Sequence, residues 1–175
     1  MSVTTLTGYG LRASLRLLRD TQDELRDGFK FRGGHPALDF AATLAARLKR
    51  EPRDLLATPR DLARWLIAAE LTGEPPRVTA ADLDRARELR EALYRLSVAR
   101  SKRRPLPEGD RALLNHWAAK PPPPLRLESA GLRQGISGAG PLLAALARSA
   151  VELLGGPMAL RIRGCAGQGC SLLFL

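Results

Sequence analysis

The chain has two cysteines, Cys165 and Cys170, with four residues between them in its closing run RIRGCAGQGCSLLFL. A thiolate pair at this spacing supplies half of a metal site, because a structural zinc ion takes four ligands, usually all from protein. The intervening Ala166, Gly167, Gln168 and Gly169 are mostly small, so the backbone can turn tightly enough for both sulfurs to face one ion. The flanks, LRIRG before and SLLFL after, suit a knuckle between two strands. Two thiolates alone form an open site whose occupancy depends on pH, since the metal must displace protons. Without a metal they are two free thiols.

Other chemistry-bearing residues are few. Asp39 lies inside the apolar run ALDFAA and must reach solvent or be paired when buried. The simplest expectation is a salt bridge with one of the many arginines. His35, between Gly34 and Pro36, reads as a turn or helix-start residue. His116, beside Trp117, reads as a partly buried or surface helix residue. No GxSxG elbow, Walker loop, HExxH or GxGxxG after a strand occurs. No nucleophile–base pair can be assembled, so the chain is not expected to be an enzyme.

The elements that must position these residues read mainly as helices. Leu11, Leu15, Leu18 and Leu25 form a stripe that predicts a helix over 9–26. A second helix starts at Pro36 and carries Leu38, Ala41, Ala45 and Leu48 at helical spacing. Thr58, Pro59 and Asp61 signal the start of a third, whose apolar face is Leu62, Trp65, Leu66 and Ala69. Thr79 and Asp82 form a capping-box pattern ahead of Leu83, Ala86, Leu89, Leu93 and Leu96. Along that helix Glu91 has Arg87 and Arg95 at i,i±4. Its basic end, Arg100, Lys102, Arg103 and Arg104, suits either a solvated helix terminus or a nucleic-acid patch. A short helix with Leu113, Leu114 and Trp117 inward runs into the tetraproline at 121–124. Alternation in LRLESAGLRQG predicts a small β-hairpin. A last helix follows Gly140-Pro141 and closes at Gly155-Gly156-Pro157. MALRIR then alternates as a strand leading to Cys165. The expected fold is a single, mainly α domain with a small β-hairpin and a C-terminal strand leading into half a zinc knuckle.

Composition agrees with this. The 175 residues are 45% apolar and 26% charged, as in a soluble globular domain with a sizeable core. No apolar run approaches the roughly 20 residues of a membrane span. The N-terminus has arginines in place of an apolar signal core. So few cysteines point to a reducing, cytoplasmic setting. The net charge is +10, with 24 Arg to 4 Lys. Such excess attracts polyanions, nucleic acid above all, although GC-rich codon usage produces the same bias.

The C-terminal LRIRGCAGQGCSLLFL resembles the first half of the CGNR zinc finger, in which a cysteine pair of this spacing precedes an LFLD strand. GGHPALDFAATL, DLLATPRDLARWLIAAEL, ARELREALYRL and the LRLESAGL hairpin resemble the ABATE domain that normally precedes that finger. The resemblance spans roughly residues 29–175. It divides the chain into an N-terminal extension (1–28), an ABATE-like helical domain (29–160) and the first half of a finger (161–175). The family is described as stress-induced transcription regulators of bacteria. The resemblance implies that Cys165 and Cys170 are two of four zinc ligands. The other two, with the Gly-Asn-Arg of the motif, would lie past Leu175. Ala42 stands where the family favours Asn, whereas Asp39 and Thr43 are kept.

Two functions follow as expectations. The first is a DNA-binding regulator whose finger, with Arg161 and Arg163 beside the knuckle, contacts phosphates. The second is a helical module that senses a small-molecule effector or a protein partner through a pocket near Asp39, Thr43 and Trp65. A homodimer that completes a four-thiolate zinc site from two chains is a further expectation.

Overall fold

The computed structural model describes residues 24–129, 131–135 and 138–175. Its element order is β1 (Glu24–Arg26), β2 (Phe29–Phe31), α1 (Pro36–Ala41), β3 (Leu44–Ala45), β4 (Arg53–Asp54), α2 (Pro59–Ala68), α3 (Ala80–Ser101) and α4 (Glu108–Ala118). It continues with β5 (Leu125–Glu128), β6 (Gly131–Gln134), α5 (Ala139–Gly155), a 3-10 turn (Pro157–Arg161), β7 (Arg163–Gly164) and β8 (Leu173–Phe174). Among the described residues the strands pair as four two-stranded antiparallel units, β1-β2, β3-β4, β5-β6 and β7-β8. The fold is therefore mainly α, as the apolar periodicity predicts.

The long α3 is the centre of the packing, with α1, α2, α4 and α5 against it. Its Leu83, Ala86, Leu89, Leu93 and Leu96 are buried together with Leu142, Leu143, Leu146 and Leu154 of α5. The predicted Thr79–Asp82 capping box is present, and the predicted helix start at Thr58 is a capping box as well. In α2 the Asp61 amide donates to the Thr58 hydroxyl at 3.3 Å, and the Thr58 amide donates to the Asp61 carboxylate at 2.9 Å. In α3 the equivalent Thr79–Asp82 contacts are 3.1 and 3.0 Å. Each box satisfies two helix-end groups that would otherwise lack partners.

Three predicted elements are different. The helix expected over 9–26 lies mostly outside the described residues, and its last three form β1. Asp27 and Gly28 both take positive φ, 47° and 81°, the turn geometry that matches the twist of a hairpin. The helix begun at Pro36 stops at Ala41. There the Thr43 hydroxyl donates to the Phe40 carbonyl at 2.7 Å, and the Leu55 amide donates to the Thr43 carbonyl at 2.9 Å. These bonds turn the chain into the β3-β4 hairpin and leave Leu48 60% exposed. In MALRIR the first four residues form a 3-10 turn instead of a strand, and only Arg163 enters β7. With three residues per turn, Ala159 and Ile162 share the buried face, and Leu160 is left 71% exposed.

Candidate functional site

The C-terminal hairpin carries the cysteine pair. β7 and β8 pair through Arg163–Phe174 and Gly164–Leu173. The Cys165 amide then donates to the Leu172 carbonyl at 2.9 Å and closes the loop. Inside it the Cys170 amide donates to the Gly167 carbonyl at 3.0 Å, and the Gly167 amide donates to the Cys165 sulfur at 3.4 Å. Gly169 has φ +69°, a left-handed position that glycine takes without strain. The Gly167 amide, and then the Cys170 thiol, lower the pKa of the partly exposed Cys165. A thiol prepared in this way is a better metal ligand, since the thiolate is the binding form. Cys165 and Cys170 thus provide two donors facing one another. Among the described residues no group of three or more His, Cys, Asp or Glu side chains is placed to hold a metal ion.

The hairpin docks on the start of the helical domain. The Leu175 amide donates to the Gly33 carbonyl at 3.1 Å. The Gly33 amide in turn donates to the Asp39 carboxylate at 2.7 Å, and the Arg32 amide to the same oxygen at 2.8 Å. The buried Asp39 is therefore held by backbone amides, not by the expected arginine salt bridge. Burial raises its pKa from 3.8 to about 6, and the two amides and the charge of Arg26 only partly offset this. A Cβ on Gly33 would lie 2.6 Å from Leu38 Cβ and 3.1 Å from the Asp39 carboxylate. Gly33→Ala should therefore lose about 1–3 kcal/mol of stability in thermal unfolding. A loss below about 0.5 kcal/mol, typical of neutral surface changes, would show that the contact relaxes freely.

His35 occupies the N-cap of α1, where its Nδ1 accepts the Ala37 amide at 3.2 Å. Burial lowers its pKa to about 4. The histidine is thus a helix-start residue, as the sequence predicts. His116 is exposed on α4.

Thr43 and Trp65 are buried with Asp39. The Trp65 ring packs between Phe40, at 4.7 Å between centroids, and Phe31, at 6.3 Å. These three side chains, expected to line a ligand pocket, are partnered within the core. Arg161 and Arg163 are exposed beside the hairpin. Arg163 donates to the Leu160 and Ile162 carbonyls at 2.6 and 3.1 Å, and Arg161 contacts the Met158 sulfur at 3.7 Å.

A buried charge network was not legible in the sequence. Arg90, only 3% exposed, forms a two-pronged pair with Asp54 at 2.6 and 3.0 Å and also donates to Glu91 at 3.0 Å. Glu91 also pairs with Arg47, whose guanidinium lies 4.0 Å over the Tyr94 ring. Arg87 turns to Asp54 and the Leu56 carbonyl, and Arg95 to Asp110. The predicted i,i±4 partners of Glu91 are thus drawn to other elements. Only the distant Asp54 and Arg47 could have signalled this, and pairing across such separations leaves no periodic trace.

Among the described residues, four helices packed on α3, small hairpins and a C-terminal hairpin that carries both cysteines define a mainly α domain. The chain belongs to the ABATE family, described as "putative stress-induced transcription regulator", whose model matches residues 34–157. No curated protein matches it significantly. Among the described residues no helix is long and apolar enough to cross a membrane.

Proposed function

We propose that the protein is a DNA-binding transcription regulator in which zinc holds the β7-β8 hairpin in its binding conformation. The observation that carries this is the paired-thiol knuckle, tied through Leu175 to the Gly33–Asp39 loop. Cys165 and Cys170 would hold the ion, which fixes the hairpin. Two further ligands come from a second copy of the chain or from residues outside this sequence. Arg161 and Arg163, exposed at the base of the hairpin, supply cations for backbone phosphates.

Metal analysis and mobility shifts test the reading together. The expected results are one zinc per chain or one per two chains, the latter marking a shared four-thiolate site. Cys165→Ser and Cys170→Ser should each release the zinc and weaken DNA binding. Arg161→Ala and Arg163→Ala should each reduce the slope of log affinity against log salt by about 1. Salt-insensitive DNA binding, or binding that survives loss of both cysteines, would overturn it.

A further inference from the structure

At the C-terminal end of α3 a cleft of about 530 Å³ is lined by Arg100, Arg103, Arg104, Pro105, Ala159 and Leu160. Several arginines elsewhere in the fold are paired: Arg47, Arg64, Arg87, Arg90 and Arg95 all reach carboxylates. Among the described residues the guanidinium groups of the three cleft arginines have no acidic partner, and the buried Nε of Arg100 has no hydrogen-bond acceptor. A buried donor without an acceptor costs about 1–3 kcal/mol, a deficit that a bound anion would remove.

Completing the helix end does not require this charge. A helix C-terminus carries about half a negative charge, and three guanidinium groups exceed that several-fold. The last carbonyls are already occupied, with Arg103 donating to Arg100, Arg104 to Ala99 and Lys102 to Val98 at 2.8–3.1 Å. Arg103 sits at φ +52°, the helix-ending position where glycine is the unstrained residue. The fold therefore bears a local strain that places a cation at the rim of the cleft. The floor is different in character. Ala159 and the exposed Leu160 offer apolar surface, and the volume falls in the range of small-molecule sites.

We propose that this cleft binds a small organic anion, its phosphate or carboxylate head held by Arg100, Arg103 and Arg104 and its apolar body lying on Leu160 and Pro105. The inference does not rest on the DNA-binding reading. It places an effector site at the junction of α3 and the 3-10 turn, next to the segment that leads into the cysteine hairpin.

Calorimetric titration at constant ionic strength tests it, with phenyl phosphate, inorganic phosphate and phenol as probes. Phenyl phosphate should bind saturably and more tightly than either fragment. Arg103→Gly should weaken it by about tenfold, the loss of one charge-assisted hydrogen bond, while raising the unfolding temperature because the strained position is relieved. Arg104→Gln, at an exposed position, should weaken it without changing the unfolding temperature. The titration is repeated after chelator treatment and without DNA, so failure of the zinc or DNA reading leaves it interpretable. No saturable binding of phenyl phosphate, or equal binding by Arg103→Gly, would overturn the proposal. So would a result in which only a DNA duplex binds and the variants change only its salt slope, because the cleft would then be a contact for the nucleic-acid backbone.

Discussion

Arg90→Ala is expected to lower the unfolding free energy by about 3–5 kcal/mol at neutral pH, the cost of removing one partner from a buried ion pair. Arg90 is almost fully buried and makes three hydrogen bonds to carboxylates, two to Asp54 and one to Glu91. Its loss leaves Asp54 of β4 without its two-pronged partner, holding only the longer Arg87 contact and the Leu56 amide among the described residues. Burial works against ionisation of Asp54, but the Arg90 guanidinium, the Leu56 amide and Arg87 outweigh it and hold its carboxyl below the usual range. Glu91 is likewise held low, Arg47 and Arg90 outweighing its burial. Both carboxylates are therefore charged at pH 7, and without Arg90 they repel across a poorly solvated space. Urea unfolding of Arg90→Ala, Asp54→Ala and the double variant measures the effect. A coupling energy above about 1.5 kcal/mol is expected for such a close charge pair. Additive losses, or a single loss under about 1 kcal/mol, would mean that water already reaches the pair and screens it.

The same network shows where sequence reading runs out. The Thr79–Asp82 capping box, the helix start at Thr58 and the faces of α2, α3 and α4 follow from local spacing, since a helix writes its contacts at intervals of three and four residues. The hairpin at β5-β6 and the thiol knuckle between two strands are legible for the same reason. Glu91 is not, because its true partner Arg47 lies 44 residues away in sequence. The β1-β2 hairpin carried a readable signal that the leucine stripe over 9–26 masked. Asp27-Gly28 stands between short alternating runs, and that dipeptide is a strong hairpin marker. The early end of α1 was hidden more deeply. It depends on a threonine hydroxyl turning back to Phe40, and alanines at 41, 42, 45 and 46 look helical in isolation. Asp39 is legible as a polar residue in an apolar stretch. Its partners are amides of a glycine loop that arrives from the β2 side, which no side-chain spacing encodes. The arginines ending α3 were legible as a cationic helix end. Their facing wall was not, because Ala159 and Leu160 were expected in a strand.

Opposite slopes are expected when Asp39 and His35 are separated by mutation. Asp39 titrates at about 6 in the folded chain against an ordinary 3.8, so the folded state binds more protons than the unfolded one between these values. Stability from this group therefore falls as pH rises from about 4 to about 6, by about 3 kcal/mol over the full window. His35 behaves in the reverse sense. Its folded value of about 4 lies below the ordinary 6.5, so the unfolded chain binds the extra proton and stability rises with pH across a similar window by a similar amount. The two effects oppose one another four residues apart, and the unmodified protein should show a nearly flat curve between pH 4 and 6. Asp39→Asn keeps a carbonyl oxygen for the Arg32 and Gly33 amides but removes the titration, so its stability should rise by about 3 kcal/mol from pH 4 to 6.5. His35→Asn keeps a side-chain acceptor for the Ala37 amide, and its stability should fall by about the same amount from pH 4 to 6. Asp54, Glu91 and Asp82, whose values are lowered, add a loss on the acid side that all three proteins share. It cancels when each variant is subtracted from the unmodified chain. Urea midpoints at half-unit steps between pH 4 and 7 measure the slopes. If Asp39→Asn tracks the unmodified protein within about 0.5 kcal/mol, the scale of a neutral substitution, the carboxyl ionises at its ordinary value. The amides of Arg32 and Gly33 would then fully compensate its burial, and the loop that receives Leu175 would be held by a charge at every pH above 4.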